Sequence, residues 1–293
     1  MTGSTRDGFR SRFGAWGVPA ALLVLLSCPA LLPATDLLPA TELETGLRAY
    51  HEGNYGVAAK SLLPLAKQGD QEAQFAVGVM YSQGRGFELD YAEAAGWFLE
   101  AAKQGDPRAA YSLGLLYHRG QGVPSDPRAA LRWIRRAGIY GSTEAQYALG
   151  VIYAKAQGVQ EDLVEASRWY FKAAHQGHSK AQYNLGLMYA KGRAVPQDDK
   201  AAANWFRKAA EQGDPRAQYN LGVLFVNGRG VERDYPRAYV WLSQAALSDD
   251  PEIASQAAEG LAVVLEAMSA IEKDAAQQLS AAYRHRSHAA SHD

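Results

Sequence analysis

Cysteine is nearly absent: Cys28 is the only one in the chain. An intrachain disulfide is therefore impossible, and so is any cysteine-rich zinc site. Neither sign of charge is in excess. Thirty Lys and Arg oppose 31 Asp and Glu, leaving a formal net charge of −1. That balance provides no global electrostatic footprint for nucleic acid. The motifs of common hydrolytic sites are missing as well. No Ser-x-x-Lys, Gly-x-Ser-x-Gly or His-Glu-x-x-His occurs, which argues against the corresponding serine and zinc chemistries. Long apolar runs are also lacking. The longest candidate, Val18 to Leu32, is broken by Pro19, Ser27, Cys28 and Pro29. It is too short and too interrupted for a membrane-spanning helix.

Repetition is what the chain has in quantity. Gly78, Gly114, Gly150, Gly186 and Gly222 follow one another at steps of 36 residues, and Trp97, Trp133, Trp169, Trp205 and Trp241 keep the same step. A period of this size is the signature of a stacked repeat array. Each copy carries two helical patterns. In the first, Ala145, Leu149 and Tyr153 fall at i, i+4 and i+8, on one face. A mid-helix glycine such as Gly150 costs roughly 1 kcal/mol relative to alanine. Its return in every copy marks a place where a neighbouring helix comes close.

A Gly-x-Gly-type turn follows. Its glycines suit left-handed helix-ending positions, and they lack the strand and third glycine of a dinucleotide site. Ala156 and Ala194 replace one glycine each, which predicts looser or differently shaped turns there. The second helix starts at Asp90, Asp126, Asp162, Asp198 or Asp234 as N-cap. Ala94, Trp97, Phe98 and Ala101 form its apolar stripe. Gly105, Gly141, Gly177 and Gly213 end it, and Asp106-Pro107 and Asp214-Pro215 open the next helix with a cap and an N1 proline. One such helix pair cannot bury its apolar faces alone, but stacked copies can.

The pattern A-x-x-x-L-G-x-x-Y, G-x-G-V, D, A-x-x-W, A-A-x-Q-G-D resembles the SEL-one-like repeat, a relative of the tetratricopeptide repeat. The resemblance covers residues 73–251 in five copies. It implies an all-α, right-handed α-solenoid of antiparallel helix pairs, acting as an adaptor or scaffold, often in bacterial envelopes. A cysteine-rich branch ties its helix pairs with disulfides; this chain lacks those cysteines, so nothing specific to that branch carries over.

The flanks complete the domain organisation. Arg6, Arg10 and Arg12 precede the apolar run, and Leu32-Pro33-Ala34 offers a cleavage site that Leu38-Pro39-Ala40 repeats six residues later, so residues 1–34 read as a secretory signal peptide. Leu25-Leu26-Ser27-Cys28 also resembles a lipoprotein box, with Cys28 as the lipidated residue. Residues 41–72 read as a shorter N-terminal capping repeat. Residues 252–284 read as two C-terminal capping helices, the last opened by a Ser269/Glu272 capping box and ending near Tyr283. Residues 285–293 read as a flexible tail. Its His285, His288 and His292, like His175 and His178 on either side of Gly177, form no convincing metal site. No cofactor or metal is expected.

The expected function is binding of a protein or peptide without catalysis, in the periplasm or cell envelope, with membrane contact only through an N-terminal lipid or uncleaved anchor. The alternatives are an envelope enzyme of penicillin-binding or cell-wall-active type and a structural envelope lipoprotein. Positions three and ten residues after the opening alanine of each first helix share a second face. They vary between copies and turn polar toward the C-terminal half. In tetratricopeptide arrays the first helices line the concave side. The resemblance therefore implies that Ser112, Arg119, Lys155, Asn184, Lys191, Asn220 and Asn227 line a mildly basic groove for an acidic peptide or C-terminal carboxylate. Tyr140 and Tyr170 lie outside the repeated aromatic positions and are expected at an exposed seam.

Overall fold

The computed structural model describes residues 41–289, with side chains through Tyr283. Cys28 and the expected signal segment lie outside the described residues, as do the side chains of His285, His288 and His292. The described residues form helices and no strand. A short pair, α1 (Glu42–His51) and α2 (Tyr55–Lys67), comes first. Five full pairs follow: α3 (Gln71–Gln83) with α4 (Tyr91–Lys103), α5 (Pro107–Arg119) with α6 (Pro127–Ile139), α7 (Thr143–Ala154) with α8 (Leu163–His175), α9 (Ser179–Lys191) with α10 (Asp199–Glu211), and α11 (Pro215–Asn227) with α12 (Tyr235–Ala245). Then come α13 (Pro251–Ala267) and α14 (Ala270–Ala289), both packed on α12. Each helix packs on its partner, and each second helix on the first helix of the next pair, which is the connectivity of an α-solenoid.

The repeated glycine is where the two helices of a pair meet. A Cβ on Gly78 or Gly186 would stand 2.7 Å from ring carbons of Phe98 or Phe206. Gly114 meets Ile134, Gly150 meets Tyr170 and Gly222 meets Leu242 in the same way. The partner always lies 20 residues on. In the first pair Gly46 meets Leu62, 16 residues on, so that pair is the same unit with a turn four residues shorter. Around these contacts Phe98, Leu113, Leu149, Leu185, Phe206 and Leu221 are buried. Each such side chain contributes roughly 1.5–3 kcal/mol on burial.

Helix ends follow the local chemistry. Asp90, Asp126, Asp162, Asp198 and Asp234 each accept a hydrogen bond from an amide in the first turn of their second helix. Ser269 and Glu272 make the capping box of α14. That helix does not stop near Tyr283 but runs to Ala289, because the residues that follow include no glycine or proline to break it. Ala156 and Ala194 sit at φ 54° and 67°, in the left-handed region. The turn that holds Ala156 differs as expected, since α7 ends one position early, at Ala154, with Lys155 and not a left-handed glycine as its cap; the turn that holds Ala194 keeps the left-handed Gly192 cap of its counterparts. The contact with the preceding repeat differs too. Gly122 and Gly230 lie against the backbone of Tyr91 and Asp199, so close that a Cβ would collide. Ala194 carries a Cβ at the equivalent place, and Gly158 faces open space. The turns of the third and fourth full repeats are thus held less tightly against the preceding helix.

A glutamine ladder crosses the seams between pairs. Gln74, Gln146, Gln182 and Gln218 are buried. Their side-chain amides donate to the carbonyls of Ala66, Gly138, Ala174 and Ala210 at the end of the preceding pair. Gln104, Gln176 and Gln212 then donate to the side-chain oxygens of Gln74, Gln146 and Gln182 at 2.7–2.8 Å. The second full repeat has Ala110 and Tyr140 instead, losing both rungs together. There Arg108 bridges Glu72 of α3 and Asp106, at 2.6 and 2.7 Å, and ties the same seam by charge.

Candidate functional site

α3 lies against α5 and α7 against α9, while no two second helices of successive repeats come as close. α7, α8, α9 and α11 enclose an open depression of about 340 Å³. Lys155, Asn184 and Lys191 line it together. Three of the seven groove residues expected from sequence thus converge on one site. The other four do not line it. Ser112 and Arg119 belong to α5, an earlier first helix. Asn220 turns its amide onto the Arg216 carbonyl (2.8 Å), and Asn227 onto the Val223 carbonyl (3.0 Å). Both asparagines are used within their own helix, one turn back.

Four side chains that the sequence reading did not single out as ligand-facing complete the polar lining. Arg193 and Arg216 add two cations, and Tyr147 and Tyr170 add two phenols. Arg216 lies 4.4 Å from the Tyr183 ring centroid and donates to Asp214 at 2.8 Å. The hydrogen bond to Asp214 raises its pKa, so the charge is permanent. Tyr170 was expected at an exposed seam, yet it is only 4% exposed. It holds the position that Phe98 and Phe206 hold in their repeats, against Gly150. Burial raises its pKa strongly, with the Asn184 side chain hydrogen-bonded to it. Burial raises the pKa of Tyr147 too. Both phenols are therefore neutral near pH 7, as hydrogen-bonding groups. Tyr140, by contrast, is exposed as expected.

Val151, Leu163, Leu187 and Met188 make the rest an apolar floor. Four cations, an amide and two phenols over such a floor suit a carboxylate-bearing, partly apolar segment. Among the described residues no carboxylate, histidine, serine or cysteine lines the depression, so these residues offer none of the usual nucleophile–base pairs there. The two histidines flanking Gly177 are occupied in other ways. His175 Nδ1 is 2.9 Å from the Phe171 carbonyl. His178 caps α9 by accepting from the Ala181 amide at 3.2 Å, and its ring stacks on Tyr147.

The family model of the Sel1 repeat matches residues 71–106, 107–138, 143–178, 179–214 and 215–250. The chain belongs to the Sel1 repeat family. Among solved structures it is similar to c5321, a protective antigen present in uropathogenic Escherichia coli strains and displaying an SLR fold. Identity is 33% and the TM-score 0.70, over 83% of this chain and 54% of that one. The chain therefore spans about half the length of that protein. A Sel1 repeat protein from Oxalobacter formigenes is similar at 30% identity and a TM-score of 0.65, over 73% of this chain and 85% of that one. No match is found among curated proteins. Sel1 repeats generally mediate protein–protein interaction, and scaffolds of the family are generally non-catalytic.

Proposed function

We propose that this Sel1 repeat chain is a non-catalytic scaffold of the bacterial cell envelope that holds an acidic segment of a partner protein in its inner depression. One observation carries the reading. Lys155, Asn184 and Lys191 come from two different repeats and meet Arg193 and Arg216 around one apolar-floored depression. An already ordered array pays little conformational entropy on binding, so a few charge-assisted hydrogen bonds suffice for recognition. The envelope location rests on the basic and apolar pattern of residues 6–32. It is in keeping with the similar E. coli protein being a protective antigen.

The binding reading is tested by capturing partners from crosslinked envelopes and titrating the recovered partner. Asn184→Ala with Lys191→Glu abolishes capture and leaves the circular-dichroism melt unchanged. Arg168→Glu, on the opposite side of the array, captures as the wild type does. Equal capture by all three proteins shows the depression to be the wrong site. Sequencing the N-terminus of protein from the native host tests export: the mature chain begins after Ala34 or Ala40, or at lipidated Cys28. An unprocessed cytoplasmic chain removes the envelope from the proposal.

A further inference from the structure

The outer side of the array carries a second charged surface that the inner depression does not use. On α6, Arg128, Arg132, Arg135 and Ile139 fall at i, i+4, i+7 and i+11, and so share one face. The equivalent crest of α8 holds Val164, Arg168 and Phe171, and that of α10 holds Lys200, Asn204 and Arg207. The opposite faces of these helices are buried through Ala130, Ala137, Ala166, Ala173, Ala202 and Ala209. The crests therefore point away from the core. Six cations stand on three adjacent helices of a chain whose net charge is −1. The carboxylates nearby are mostly engaged. Glu165 accepts from Trp169 Nε1 at 2.9 Å and pairs with Arg168 and Arg135. Asp199 is bound by Arg229 at 2.9 Å. Asp126, Asp162 and Asp198 cap their own helices. Glu161 remains in the turn before α8, and Glu211 at the far end of α10.

Three large apolar side chains stand among these cations: Ile139 is 65% exposed, Val164 50% and Phe171 46%. A face that met only nucleic-acid phosphates would gain nothing from bare aliphatic and aromatic groups. Interfacial membrane proteins combine cations for the headgroups with apolar and aromatic tips for the acyl boundary. Beside the α8 crest lies an open depression of about 600 Å³ with Arg168 and Lys172 on its lining, the Arg168-paired Glu165 beside them, and Trp169, Phe171, Leu185, Tyr189 and Val195 as apolar wall. Cationic and apolar groups around one open depression match a lipid's anionic head and its chain.

We infer that the outer crests of α6, α8 and α10 form a docking surface for an anionic phospholipid bilayer. Cations hold the headgroups by long-range attraction, and Ile139, Val164 and Phe171 enter the interface. The array would then present its inner depression away from the membrane, with its two faces bound to different things.

Sedimentation of the full chain with vesicles tests this. The readout is the ratio of partitioning into phosphatidylglycerol–phosphatidylcholine vesicles over phosphatidylcholine vesicles, which an apolar leader by itself does not set. Wild-type protein shows a high ratio that falls as salt rises. Each basic residue near an anionic surface is worth roughly a factor of five in partitioning. Arg132→Gln with Arg168→Gln and Lys200→Gln therefore lowers the ratio by about a hundredfold, with an unchanged melt. Phe171→Ser weakens binding severalfold and leaves the salt slope as it was. A ratio near one for the wild type, or no change in the triple variant, overturns the inference. A DNA duplex bound more tightly than the vesicles, with no loss in Phe171→Ser, assigns the face to nucleic acid and overturns it as well.

Discussion

A Cβ built on Gly186 would stand 2.7 Å from two ring carbons of Phe206. The two helices of that pair are as close as backbone and ring permit. Gly96, by contrast, sits in the exposed side of α4 with nothing within 4 Å of its would-be Cβ. The same Gly→Ala change therefore has opposite signs at the two sites. At Gly96 it stabilises by about 0.5–1 kcal/mol, the ordinary helix-propensity gain. At Gly186 overpacking costs roughly 1–3 kcal/mol and outweighs that gain. Urea melts of the two single variants check the contrast; stabilisation by Gly186→Ala contradicts the close approach.

The N-cap of α9 is a histidine where α3, α5 and α11 use Asp70, Asp106 and Asp214. To accept from the Ala181 amide, His178 Nδ1 must be unprotonated. Burial lowers its pKa below the usual 6.5, against the opposing pull of Glu144 and with some help from Lys180. A depressed folded-state pKa means that the unfolded chain takes up the proton first. Stability from His178 is therefore complete above about pH 6.5 and is lost as pH falls through the lower folded value. His178→Asp keeps the cap and removes this dependence. Melting temperature measured between about pH 7.5 and 5.5 should fall more steeply for wild type than for His178→Asp; parallel curves contradict the capping role.

Ala194 holds a φ of 67° where all four other full repeats have glycine. A left-handed non-glycine residue costs roughly 1–2 kcal/mol. Ala194→Gly should raise stability by about 1 kcal/mol, and Ala156→Gly should do likewise. Native-state hydrogen exchange across α8 to α10 checks the local effect: amides there should exchange more slowly in Ala194→Gly. Unchanged exchange and melting indicate that the turn stores no such strain.

Gln182 spans the seam between α8 and α9, donating to the Ala174 carbonyl at 3.1 Å while accepting from Gln212 at 2.7 Å. Gln182→Ala leaves a buried rung empty and costs roughly 1–3 kcal/mol. Gln212→Ala costs less, because the Gln182 bond to Ala174 survives. A double-mutant cycle in chemical denaturation should return a coupling of about 0.5–1.5 kcal/mol between the two; simple additivity contradicts the ladder.

The architecture was legible because its determinants recur. Gly78 to Gly222, the aspartate caps and the apolar stripes keep one 36-residue step, and each acts through a neighbour close in sequence. The ladder was equally visible in Gln146, Gln176, Gln182 and Gln212, but its meaning needs the seam geometry. The site was only partly legible. Asn184, Asn220 and Asn227 read alike as polar first-helix residues, yet the last two donate to carbonyls one turn back. Tyr170 read as irregular because it replaces phenylalanine, and the phenol does not change which face its helix buries. Arg193 lies in a turn and Arg216 at a helix start. Only superhelical stacking brings them beside Lys155, which precedes Arg216 by more than one full repeat.

The central claim is that the inner depression selects acidic segments of protein. A random peptide library selected on the immobilised wild-type chain tests it most directly. The account predicts enrichment of Asp- and Glu-containing peptides with an adjacent apolar residue, whose binding weakens at least about tenfold in Lys155→Glu with Lys191→Glu, the loss of one or two charge-assisted hydrogen bonds. Enrichment of neutral or basic peptides, or selected peptides that bind the double variant as tightly as the wild type, would contradict it.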